Sequence, residues 1–292
     1  MKVTEMWKKN QPTVSFELFP ARNAEAALKL DRVIDQLTVM EPDFVSVTFG
    51  AGGSTREGSR QLVKSLKNEL DLEVMAYFAG YGLGPDDIRG VMDSYLNLGV
   101  DNVLVVRGDS PHGQPDFKPH PASLAHASDM LEFIRPRYSF CLGAAGYPEG
   151  HIEAESLQKD LEYQKLKVDK GAEFILTNYF YDNCYYFDFV AHCRSLGIKV
   201  PIVPGIMPIF SLKMMNHLAK LCGSSISDDL RQRLAALPEG DAPALLKFGI
   251  DFAFEQCKEL IAAGVPGLHF YTMDRSQSTI GVLARLRQEG LL

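Results

Sequence analysis

The chain has 292 residues, 46% of them hydrophobic and 23% charged, and a formal net charge of −7. This composition supports a large core and excludes a disordered polyelectrolyte, and the acidic balance excludes a nucleic-acid partner, because no basic surplus replaces phosphate counterions. The first ten residues hold no apolar stretch, and the uncharged run 200–212 is too short and proline-rich to cross a bilayer, so a cytoplasmic protein with no membrane partner is expected.

Short β-branched and aromatic runs alternate with segments of helical periodicity. In the first run, residues 13–19, side chains alternate between two faces. Ser15, Glu17 and Phe19 share one; Val14, Phe16 and Leu18 share the other and are expected under helices. Glu17 then points inward among apolar neighbours. Lost hydration would raise its pKa into the range of a general acid. The alternative is a buried ion pair with an arginine or lysine. Leu30, Val33, Ile34 and Leu37 follow helical spacing. The second run, 44–50, sets Ser46 and Thr48 on one face. Residues 51–55 then lead into a helix at about Arg56; their backbone N–H groups could meet an anion or form only a capped turn.

The third run, 73–78, precedes a helix through Ile88, Val91, Met92 and Tyr95. The fourth, 102–106, ends in Arg107-Gly108-Asp109, and a charged pair after an apolar strand must be used or paired. Asp109 is a catalytic or ligand-binding candidate. The fifth, 139–145, runs into Gly146-Tyr147-Pro148-Glu149-Gly150-His151. Its small residues admit a flat ligand that Tyr147 and His151 could hydrogen-bond. A helix from Ser156 places Asp160, Tyr163 and Lys167 near one stripe. The sixth run, 174–181, carries Asn178, which offers both a donor and an acceptor to a heterocycle edge. The seventh is 200–206. Met214 and Met215 are expected in a core, and residues 224–244 form an extra helix and loop. The eighth run, 267–272, leads to Tyr271 and Arg275.

Gly99, Gly171, Gly197 and Gly264 each sit between a helix and the next strand, the left-handed position that ends a helix. Eight strand candidates in one composition regime predict a single-domain (β/α)8 TIM barrel spanning residues 1–292. Active sites in such barrels lie at the C-terminal ends of the strands. No Gly-x-Gly-x-x-Gly follows the first strand. Cys141, Cys184, Cys193, Cys222 and Cys257 form no Cys-x-x-Cys pair, and the seven histidines are scattered, so reduced cysteines and no metal site are expected.

Segments 14–20, 44–50, 107–109, 145–151, 204–208 and 269–272 together resemble the methylenetetrahydrofolate reductase family, in order and across nearly the whole chain. The chain is similar to the short bacterial form, ending where the catalytic barrel ends. The resemblance implies an oxidoreductase of one-carbon and methionine metabolism that reduces 5,10-methylenetetrahydrofolate to 5-methyltetrahydrofolate. NADH or NADPH would first reduce a bound FAD, and the folate would then take the same flavin face. Glu17 would supply the proton that opens the imidazolidine ring. Asp109 would hydrogen-bond the substrate and stabilise the resulting iminium cation. Asn178 would hold the pterin edge, with Tyr271 and Arg275 near the folate. Thr48, Tyr147, His151, Asp160 and Lys167 match flavin-contacting positions, with Arg107, Gly108 and Asp109 at the same cofactor. A homo-oligomer is also implied.

Some positions depart from the family pattern. Tyr77-Phe78-Ala79-Gly80 replaces a His-Leu-Thr or His-Met-Thr segment whose histidine touches the flavin. Asn178 stands for glutamine, Leu212 for phenylalanine with Phe210 nearby, and His126 for tyrosine. Tyr163 and Leu166 stand where some members are polar or basic. These departures motivate a second reading, the same reaction by direct hydride transfer without flavin. A third reading, a folate-binding barrel without turnover, is opposed by the presence of both Glu17 and Asp109.

Overall fold

The computed structural model describes residues 1–8, 11–49, 53–110 and 116–292, with the side chains of 53–55 excepted. Eight parallel strands follow one another around a closed barrel: β1 (Thr13–Leu18), β2 (Phe44–Val47), β3 (Val74–Ala79), β4 (Asn102–Val106), β5 (Cys141–Gly146), β6 (Phe174–Tyr179), β7 (Ile202–Ile206) and β8 (Gly267–Tyr271). The helices among the described residues are α1 (Val3–Met6), α2 (Ala24–Thr38), α3 (Gly53–Asn68), α4 (Pro85–Asn97), α5 (Ala127–Ile134), α6 (Leu157–Asp169), α7 (Asn183–Ser195), α8 (Leu212–Cys222), α9 (Asp228–Ala235), α10 (Ala242–Ala262) and α11 (Gln277–Gln288). None of the described helices is long and apolar enough to cross a membrane.

Each expected strand is present, with ends shifted by two residues at most except in β2, which stops at Val47, three residues before the expected end. Leu30, Val33, Ile34 and Leu37 are the buried face of α2. In α4 Ile88, Met92 and Tyr95 are buried and Val91 packs against the same core. The four helix-ending glycines all take positive φ, from 71° at Gly99 to 118° at Gly171. The extra element expected within 224–244 is α9, and Met215 is buried in the cluster beside it. Residues 51 and 52 of the expected anion loop, and residue 50 at the expected end of the second strand, lie outside the described residues. Helix α3 starts at Gly53, somewhat earlier than expected.

The alternation of β1 is as expected. Val14, Phe16 and Leu18 pack in the shell between strands and helices with Phe270 and Leu268. The barrel interior is a separate apolar cluster of Phe44, Met75, Leu104, Cys141, Phe174, Leu176 and Val203. Helix α1 closes its lower end with Val3 and Met6. Trp7 follows, its ring edge-on to Phe174 at 5.2 Å while its indole N–H donates to Thr13 Oγ1 at 2.9 Å. This floor leaves only the upper, C-terminal mouth open to ligands.

Candidate active site

Glu17 sits at the top of β1, 5% exposed. Strand register places it beside Ser46 on β2 and Tyr271 on β8. Its carboxyl has lost most of its hydration, which pushes its pKa from 4.5 to about 7. The nearby Tyr77 hydroxyl opposes that rise, and the negative charge of Asp274 adds to it. No arginine or lysine among the described residues ion-pairs with Glu17, so the buried-salt-bridge alternative is not what the fold builds. The neighbours are also not apolar, as had been expected, but phenols and hydroxyls. The inward positions of adjacent strands converge on one polar layer above the apolar floor.

Within that layer His269 is fully buried, and desolvation lowers its pKa to about 3, so the ring is neutral. Its Nδ1 lies 2.8 Å from Ser15 Oγ and its Nε2 3.2 Å from Ser46 Oγ. A neutral imidazole donates at one nitrogen and accepts at the other, so two hydroxyls satisfy it in either tautomer. Tyr271 stands edge-on to His269 and donates its hydroxyl proton to Thr177 O at 2.8 Å. The Tyr77 hydroxyl is directed at Glu17 and Ser46, yet it is buried without a hydrogen bond of ordinary geometry. Burial holds both phenols well above their ordinary pKa, so both are neutral.

A cleft of about 320 Å³ opens over the ends of β4 and β5, between α5 and α6. Arg107, Tyr147, His151, Asp160 and Lys167 line it, with His126, Tyr163 and Leu166. The stripe expected on α6 is therefore a wall of the cleft. Ser156 caps that helix by accepting from Lys159 N. Lys167 Nζ donates to Ala145 O at 2.6 Å, and desolvation lowers its pKa to about 8 while the charge of Asp160 resists the fall. Asp160 is 6% exposed; burial raises its pKa and Lys167 lowers it. Its Oδ2 accepts from His151 N at 3.2 Å, which holds the Tyr147–His151 turn against the helix. The two rings of that turn meet edge-on at 4.6 Å. Arg107 donates to Glu153 Oε2 at 2.5 Å and lies 3.6 Å from Asp109, so the charged strand end is paired.

The other expected residues stand farther out. Asp109 is on the rim, its side chain 81% exposed. Gly108 has φ 79°, and a Cβ there would lie 2.9 Å from Ala79 Cβ. Thr48 contributes its backbone, donating to Leu18 O and accepting from Ser59 Oγ. Asn178 is half-buried beside the Cys222 thiol. Arg275 is exposed, its guanidinium 4.8 Å from the Phe210 ring centre. The sequence reading missed His269, Ser15, Asp274 and Glu153, and it took Tyr77 as a departure without seeing it beside Glu17. His269 and Tyr271, two residues apart, share one face of β8, and barrel closure brings that strand against β1.

A closed (β/α)8 barrel with a buried, protonatable carboxyl in its mouth and a cleft of cations and aromatic rings over β4 and β5 has the architecture of a small-molecule enzyme. The family model described as methylenetetrahydrofolate reductase matches residues 2–287, and the chain belongs to that family. It is 37% identical to methylenetetrahydrofolate reductase (NADH) 1 of Arabidopsis thaliana, over 98% of this chain and 50% of that protein. It is 34% identical to the 5,10-methylenetetrahydrofolate reductase of Escherichia coli K12, over 93% of this chain and 90% of that protein. The chain thus spans about half the length of the plant relatives and nearly all of the bacterial one. Among solved structures, an uncharacterized protein from Clostridium thermocellum that binds two copies of 5-methyl-5,6,7,8-tetrahydrofolic acid shares the fold. The TM-score is 0.67 at 16% identity, over 98% of this chain and 99% of that one.

Proposed function

We propose that this protein reduces 5,10-methylenetetrahydrofolate to 5-methyltetrahydrofolate, with NADH as hydride source and FAD as relay. The observation that carries the reading is Glu17: a carboxyl with a pKa of about 7 in the barrel mouth, half-protonated at neutral pH and without a cationic partner among the described residues. NADH is chosen over NADPH because the plant relatives are named for it.

The cleft fits a flavin by its chemistry. Lys167 and Arg107 supply cations for an anionic cofactor, Tyr147 and His151 supply ring edges and a hydroxyl, and Asp160 holds the turn through His151 N while its charge favours the protonated lysine. When bound, FAD would accept a hydride from the nicotinamide and pass it to the folate. Glu17 protonates a ring nitrogen of the imidazolidine; that C–N bond breaks towards the nitrogen and leaves an iminium carbon as hydride acceptor. Asp109, exposed on the rim beside Arg107, would offer its negative charge to the cation. Asn178 and Tyr271 line the mouth where a pterin edge would lie. Neutral His269 keeps the layer beneath Glu17 uncharged, so nothing there draws off its proton.

A second reading, direct transfer from nicotinamide to the iminium, is favoured by Tyr77, which turns to Glu17, and by Glu153, which occupies Arg107. The visible spectrum of the natively purified protein, before and after addition of FAD, tests the choice. A flavin band bleached by NADH and restored by methylenetetrahydrofolate supports the relay. A colourless protein that takes up no FAD yet consumes NADH with methylenetetrahydrofolate supports direct transfer. A colourless protein without turnover refutes both.

A further inference from the structure

The turn after β8 contains the only two consecutive non-glycine residues of the described chain in the left-handed region, Met273 (φ 50°) and Asp274 (φ 52°). Methionine has no local hydrogen bond to favour that conformation, so surrounding contacts must hold it. Two of them fall on β1 around Glu17. Thr272 Oγ1 donates to Glu17 O at 2.7 Å, and Asp274 Oδ1 accepts from Phe19 N at 3.2 Å. Arg275 N closes the turn on Thr272 O at 3.0 Å. The strained turn therefore grips the backbone on both sides of Leu18.

We propose that Asp274 is a positioning residue for Glu17, gripping the end of β1 through Phe19 and setting a second negative charge beside the Glu17 carboxyl. The proposal rests on the reading of Glu17 as proton donor. The titratable groups facing Glu17 are Tyr77 from β3, Tyr271 and His269 from β8, and Asp274 from the turn. The two phenols and the imidazole are neutral, which leaves Asp274 as the charge acting on it. Burial raises the pKa of Asp274, and the Phe19 N–H and the charge of Lys29 on α2 oppose that rise. A carboxylate here thus raises the proton affinity of the neighbouring acid while its acceptor oxygen fixes where that acid stands.

Asp274→Asn separates the two effects. Asparagine tolerates the left-handed backbone and keeps an acceptor for Phe19 N–H, but it carries no charge. The midpoint of Glu17 is read without turnover, as the pH dependence of the unfolding free-energy difference between a protein and its Glu17→Gln derivative. It is read again as the basic limb of kcat/KM for methylenetetrahydrofolate. In Asp274→Asn both midpoints fall together by roughly half a unit, equivalent to about 0.7 kcal/mol. In Asp274→Ala the same shift is joined by a loss of kcat of about tenfold or more, since the grip on β1 is also gone. A midpoint unmoved in Asp274→Asn overturns the proposal. If instead the unfolding midpoint moves while Glu17→Gln reduces folate at the normal rate, the proton-donor reading fails and the coupling of Asp274 to Glu17 survives.

Discussion

Replacing Glu17 by glutamine tests the electrostatics of the mouth independently of cofactor or substrate. The rise in pKa from 4.5 to about 7 means that the folded protein binds a proton at Glu17 that the unfolded chain releases. The stability due to this group is therefore fully present below about pH 4.5 and is lost as pH rises through about 7. The full loss is the pKa difference converted to free energy, about 3 kcal/mol, most of it developing between about pH 5 and 9. Glutamine keeps the size and polarity of the protonated acid and cannot ionise. Glu17→Gln should thus gain on the wild type by about 2–3 kcal/mol between those pH values. Urea unfolding of both proteins at the two pH values, analysed as the difference of differences, cancels every other titrating group. A gap between variant and wild type that does not change with pH would refute the claim that Glu17 is desolvated in the folded state. The same variant should lose folate reduction while nearly keeping nicotinamide oxidation by the flavin; normal folate reduction would remove Glu17 as the acid.

Lys167→Ala takes a cation from the cleft and leaves Ala145 O and Asp160 without it, so FAD affinity measured by titration should fall at least about tenfold. Unchanged affinity would place any flavin elsewhere. Asp109→Asn should slow folate reduction more than nicotinamide oxidation, because its charge is drawn on only as the iminium forms; equal losses in single-turnover measurements of the two half-reactions would contradict that. Gly205→Ala would put a Cβ 2.3 Å from Thr177 O and 2.4 Å from the Tyr271 ring. A loss of about 1–3 kcal/mol in unfolding free energy is expected, with a raised KM for folate as Tyr271 is displaced.

Much of the fold was legible because its signals are local. Alternation in β1 assigned Val14, Phe16 and Leu18 to the outer shell and Glu17 to the interior. Glycines at Gly99, Gly171, Gly197 and Gly264 punctuated the helix-to-strand turns, since only the chain's own backbone geometry is at stake there. The stripe Asp160, Tyr163 and Lys167 followed from helical period alone. Arg107 and Glu153, by contrast, lie on different elements, and no spacing rule announces their ion pair.

The residues by themselves determined the alternating strand and helix segments, the inward face of β1, the candidate acid and, through motifs in register, the family that the chain resembles. Tertiary structure decided the environment of that acid. Closing β8 onto β1 sets neutral His269 between Ser15 and Ser46, carries Tyr271 and Asp274 to Glu17, and lets Tyr77 approach from β3. A pKa depends on lost hydration and on charges a few ångströms away in space, and those distances exist only once strands remote in sequence have met.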